Sequence, residues 1–119
     1  MYNVNNTMFN FFGPKVPQVT VEEVKNAIDA KENVVLLDVR TTGEYAQGKI
    51  KNSLNIPLDQ VGKSVEKHIP NKEKKIYVYC LSGARSSSAV GIMIGLGYTN
   101  VSTMASGMLA WRAKGYPVV

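Results

Sequence analysis

A chain of 119 residues, 45% of them apolar, is the size of one compact domain, large enough for a single core and too short for two. The 14 Lys and Arg exceed the 9 Asp and Glu, for a formal net charge of +5. This favours anionic small molecules or acidic protein surfaces as partners, and the scatter of the basic residues, apart from Lys72, Lys74 and Lys75 on what reads as a solvated surface, argues against nucleic acid. No segment approaches the roughly 18 apolar residues of a membrane span, and the first residues carry no basic stretch ahead of an apolar core, so no membrane span and no export are expected.

Residues 1 to 19 hold Pro14 and Pro17, show no sustained periodicity and read as a poorly ordered lead-in. Within them, Met8, Phe9, Phe11 and Phe12 form an apolar cluster able to dock on the domain, touch a membrane surface or contact a partner. The domain proper, 20 to 119, is expected to open at Thr20, because Thr20-Val21-Glu22-Glu23 is a capping box. Val21, Val24, Ala27 and Ile28 then make one apolar helical face. Val34 to Leu37 reads as a strand buried on both faces, with Asp38 and Arg40 at its carboxyl end.

Thr41 to Gln47 is a short helix closed by Gly48, and Ser53 to Ile56 is an extended segment stopped by Pro57. Leu58, Val61 and Val65 mark a helix to His68, and Lys75 to Tyr79 is strand-like. A glycine-bearing turn leads into a helix from about Arg85 to Leu96, capped by Gly97. Val101 to Met104 is a last strand, and Met108 to Lys114 a last helix. Alternating strands and helices predict an α/β domain with a mainly parallel sheet, whose sites gather at the carboxyl ends of the strands.

Cys80 falls at such an end, just before the turn Leu81-Ser82-Gly83-Ala84. Unpaired N–H groups and the positive end of the following helix favour the thiolate, and Arg85 adds a charge close by in sequence. A curled run of amides also forms an anion nest, with Gly83 free to take a positive φ. An inert buried cysteine is the plainer alternative, but it requires none of Ser82, Gly83, Arg85 and Ser86. A single cysteine excludes an internal disulfide and suits a reducing compartment, so a cytoplasmic location is expected. One Cys and one His, His68, do not suffice for an all-Cys/His zinc site, and neither a metal nor a cofactor is expected.

The run Cys80-Leu81-Ser82-Gly83-Ala84-Arg85-Ser86 resembles the active-site loop of single-domain rhodaneses. Leu37-Asp38-Val39-Arg40, Glu44-Tyr45, Gly48-Lys49-Ile50 and Asn55-Ile56-Pro57-Leu58 are similar to the family's first half. Gly97-Tyr98, Val101, Ser106-Gly107-Met108, Ala110-Trp111 and Gly115-Tyr116-Pro117-Val118 are similar to its last third. The resemblance implies a rhodanese-like three-layer domain, with a five-stranded sheet flanked by helices.

It further implies a sulfurtransferase of the thiosulfate type, with Cys80 as the catalytic nucleophile and a persulfide held by Leu81, Ser82, Gly83, Ala84 and Arg85. Asp38, Arg40, Glu44 and Ser86 would support that loop, with Glu44 grouped beside the Asp38 and Arg40 pair, and Trp111 and Tyr116 would be packing residues. The expected partners are a small sulfur-donor anion and a thiol or cyanide acceptor, or a donor or acceptor protein if the domain is a persulfide relay. Three positions depart from the family pattern: Lys49 stands where relatives have His, Ser106-Gly107 replaces a Gly pair, and Leu81 stands where many thiosulfate users carry a cation. Related phosphatases and arsenate reductases have five residues between Cys and Arg where this chain has four, which makes them a distant third reading. A non-catalytic scaffold is disfavoured by the presence of the cysteine.

Overall fold

A computed structural model describes residues 15–119; the Met8 to Phe12 cluster lies outside them. Strand β1 (Gln18–Val19) is followed by α1 (Val21–Asp29), β2 (Val35–Asp38), α2 (Thr42–Gln47) and β3 (Leu54–Asn55). Then come α3 (Leu58–His68), β4 (Ile76–Tyr79), α4 (Ala84–Gly95), β5 (Val101–Met104) and α5 (Gly107–Ala113). All strand pairs are parallel, in the order β1-β5-β4-β2-β3.

Helix starts follow local chemistry. Thr20 Oγ1 accepts the Glu23 N–H at 3.0 Å and the Glu23 carboxylate accepts the Thr20 N–H at 2.8 Å, the expected box. A second box that the sequence reading leaves unmarked opens α2: Thr41 Oγ1 accepts the Glu44 N–H at 3.1 Å, and Glu44 returns the bond to the Thr41 N–H at 3.0 Å. Gln18–Val19 corrects the edge of the lead-in. These two residues form an edge strand on β5, pairing Gln18 with Thr103 and Val19 with Met104, and that pairing depends on chain far removed in sequence.

Strand alternation sorts the core into two layers. Leu37, Val39, Ile76, Val78 and Cys80 point to one face and pack with Val61 and Val65 of α3 and Ala89, Val90 and Met93 of α4. Leu36, Tyr77, Tyr79 and Met104 point to the other, against Val21 and Val24 of α1 and Met108 and Trp111 of α5. Burying each such side chain contributes roughly 1.5–3 kcal/mol relative to exposure. Cys80 therefore continues the inward series of β4 one step past its end. Because β2 leads outward to β3 and β4 leads the other way to β5, the carboxyl ends of β2 and β4 flank the crevice where parallel sheets bind ligands.

Candidate active site

The turn after β4 wraps its amides around the cysteine. Gly83, at φ 116°, caps α4 in a left-handed conformation that a side chain would resist, and this aims its N–H at Cys80 Sγ, 3.1 Å away. The Ser86 N–H lies 3.4 Å from the same sulfur and Ser86 Oγ 3.5 Å. Burial, with 1% of Cys80 exposed, pushes the thiol up. The Ser86 hydroxyl and the amides of Ser86, Gly83 and Ser82 outweigh it, so the thiol lies below its ordinary value. The expected nest is thus formed by amides and one hydroxyl.

The loop is clamped from behind. Ser106 and Gly107 both take positive φ, 62° and 51°, at the start of α5, and this turn lets Met108 and Leu109 donate to the carbonyls of Cys80 and Leu81 at 2.9 and 3.0 Å. A Cβ on Gly107 would lie 2.4 Å from the Cys80 carbonyl oxygen, so this position tolerates no side chain. The Ser106-Gly107 departure leaves that requirement satisfied, because the intolerant member of the pair is still glycine.

The charged residues after β2 separate into two pairs. Asp38 and Arg40 are buried and joined at 2.7 Å, and Arg40 Nη2 also donates to the Gly48 carbonyl at 2.6 Å. Burial opposes the charge on Arg40, but the Asp38 carboxylate more than offsets this and raises its pKa. Glu44 makes no hydrogen bond to this pair. It reaches across the crevice to Arg85, with Nη1 to Oε1 at 2.8 Å and Nη2 to Oε2 at 3.1 Å. Arg85 and the Thr41 N–H together hold Glu44 down to about 2. The charge placed beside Cys80 by sequence reasoning is therefore matched by a carboxylate.

Two clefts border the loop. One, of about 620 Å³, runs between α3 and α4 past Val39, Pro57, Leu58, Ile92 and Arg85. The other, of about 380 Å³, has polar walls that include Ser82, Gly83, Thr103 and Ser106. Leu81 is exposed at the loop. Lys49 is held at the chain end by backbone bonds to Val119, with its ammonium over the Tyr45 ring at 4.6 Å. Trp111 is buried and edge-on to Tyr116 at 5.0 Å, and His68 is exposed. Sequence reasoning missed Asn55, which donates to the carbonyls of Asp38 and Arg40 at 3.0 Å each, and the buried Thr103 hydroxyl. Asn55 falls in the Asn55-Ile56-Pro57-Leu58 motif without a role being read from it, and no local signal marks Thr103. Among the described residues, no helix is long and apolar enough to cross a membrane.

A parallel five-stranded sheet, a cysteine at the end of its central strand and a cradle of amides from the next helix define a rhodanese-like domain. Residues 20–114 match the rhodanese-like domain family, and the chain belongs to it. It is 34% identical over 104 residues to a sulfurtransferase of Allochromatium vinosum, spanning 87% of this chain and 95% of that protein. YrkF of Bacillus subtilis, whose name describes a sulfur carrier protein, is 33% identical over 99 residues, 83% of this chain; the chain spans about half of that longer protein, 52%. A rhodanese-related protein from Thermoplasma volcanium superposes with a TM-score of 0.75 at 32% identity, covering 87% of this chain and 97% of its own.

Proposed function

We propose that the protein moves sulfane sulfur from thiosulfate or a related donor to a thiol or cyanide, with Cys80 carrying the sulfur as a persulfide. The observation that carries this reading is the Cys80 sulfur held under the Gly83 and Ser86 amides at the mouth of α4. Such a site favours a thiolate and, once sulfur is added, a terminal persulfide anion.

The cycle is ping-pong. The Cys80 thiolate attacks the outer sulfur of the donor, its sulfur–sulfur bond breaks, and sulfite leaves with the bonding pair. The amides of residues 81 to 85 hold the persulfide, while Asp38, Arg40, Glu44 and Ser86 support the loop. An acceptor thiolate or cyanide then attacks the terminal sulfur, and Cys80 departs as thiolate. Neither step needs a general acid, whereas a phosphatase must protonate its leaving alkoxide. Thiocyanate formation by the wild type that is absent in Cys80→Ser, with one added sulfur on Cys80 by mass spectrometry after donor treatment, is the expected result. A folded wild type that gains no sulfur from any donor would refute the reading.

A persulfide relay serving a protein partner is the second reading, and the Glu44–Arg85 pair favours it. The only charge of the loop is already neutralised, and the exposed Leu81 at the rim suits a protein surface better than a small dianion. The sulfur-carrier name of YrkF points the same way. Slow thiocyanate formation combined with rapid persulfide exchange with a carrier would select this reading.

A further inference from the structure

Behind the sulfur, the Ser86 hydroxyl is paired with a second one, that of Thr103, which the cycle above does not use. Ser86 Oγ is 3.5 Å from Cys80 Sγ, 3.1 Å from the Gly83 carbonyl and 2.6 Å from Thr103 Oγ1. All three side chains are buried, with exposures of 1% or less. Two hydroxyls carry two protons, and counting acceptors fixes where each goes.

The Gly83 carbonyl, within reach of Ser86 Oγ as a donor at 3.1 Å, already accepts the Ser87 N–H at 3.0 Å and the Ser87 hydroxyl at 2.8 Å, which fill its two lone pairs. Ser86 Oγ is the hydrogen-bond partner of Thr103 Oγ1 among the described residues. If Ser86 donated to Thr103, the Thr103 proton would be left buried without an acceptor among the described residues. With Thr103 donating to Ser86, the Ser86 proton is free to meet the thiolate and every group is satisfied. A hydroxyl that accepts one bond also donates the next more strongly.

We infer that Thr103 is a positioning residue for Cys80: its hydroxyl donates to Ser86 Oγ and so aims the Ser86 proton at the sulfur. Its placement is independent of the loop. Thr103 sits in β5 between β1 and β4, opposite Gln18 and Val78, with its N–H on the Pro17 carbonyl at 2.9 Å. The charged groups that border the loop are two closed pairs, Arg85 with Glu44 and Arg40 with Asp38, and Asp59 and Lys63 lie along the cleft between α3 and α4. None of them bonds to Sγ, so the hydroxyl chain is the side-chain influence in direct contact with it.

The inference rests on Cys80 being the reacting sulfur, but its test contains no sulfur donor and so can fail or succeed independently of the thiocyanate assay. The Cys80 thiolate is titrated by its ultraviolet absorbance in the full chain, with Cys80→Ser as the blank. Thr103→Val should raise the midpoint by roughly half to one pH unit, a three- to tenfold loss of thiolate below it, and Thr103→Ser should restore it. A packing role predicts the reverse order, because Val keeps the shape and the strand preference that Ser lacks. In a Ser86→Ala background, Thr103→Val should add nothing. A folded Thr103→Val with the wild-type midpoint, or an added shift without Ser86, would overturn the inference; if Thr103→Val does not fold, Thr103→Ala is read by the same criteria.

Discussion

Glu44 grips Arg85 through two parallel hydrogen bonds, 2.8 and 3.1 Å, that span the crevice between the ends of β2 and β4. The same carboxylate oxygen that meets Nη1 also receives the Thr41 N–H and hydroxyl, each at 3.0 Å. One residue thus caps α2 and balances the only charge of the cysteine loop. A small dianion entering the site meets a cation whose charge is already matched.

Glu44→Gln is expected to leave α2 capped, since Gln serves in a capping box, while freeing the Arg85 charge. The KM for thiosulfate should fall roughly three- to tenfold, the size of about 1 kcal/mol at a half-exposed site. Steady-state thiocyanate assays measure this. An unchanged or higher KM would show that Arg85 needs Glu44 in order to face the donor.

The same pair sets a pH dependence of stability. The folded-state pKa of Glu44 is depressed from an ordinary 4.5 to about 2. Its contribution is therefore complete above about 4.5 and lost as the pH falls toward 2. Partial exposure limits it to about 1 kcal/mol. Denaturant unfolding of wild type and Glu44→Gln should differ by that amount at neutral pH and converge near pH 2.

The lowered Cys80 pKa predicts that alkylation of this sole cysteine rises with pH about a midpoint below the ordinary thiol value of about 8.5. Iodoacetamide modification followed by mass spectrometry gives the profile. A midpoint above the ordinary value would mean that burial, and not the amide cradle, dominates the thiol.

Gly107→Ala places a Cβ 2.4 Å from the Cys80 carbonyl oxygen and 2.7 Å from that of Leu81 at a φ of 51°. Both obstacles are backbone of the cysteine loop, so the clash cannot be relieved by a side chain turning away. A loss of about 3 kcal/mol or more is expected, together with reduced sulfur transfer as the loop shifts. Urea denaturation and thiocyanate assays of the same preparation read the two effects.

Asp38→Asn leaves the Arg40 guanidinium buried beside a neutral partner. Breaking a buried pair from one side costs about 3–5 kcal/mol, and this should appear as a lower urea midpoint with an unchanged slope. A change of less than 1 kcal/mol would show that the Gly48 carbonyl alone suffices for Arg40.

Much of this was determined by the sequence itself. The Thr20 cap, the apolar stripes of α1 and α3, the run Val101 to Met104 and the turn that places Cys80 ahead of α4 depend on residues within about four positions of each other, which is the range of helical and strand periodicity and of capping. Only the tertiary structure decided the rest. The Glu44–Arg85 pair joins residues 41 positions apart, and the Ser86–Thr103 pair residues 17 apart. The edge strand Gln18–Val19 exists only because β5 returns beside it. These contacts follow from sheet order, and two residues of any strand carry no local mark of the neighbour they will meet.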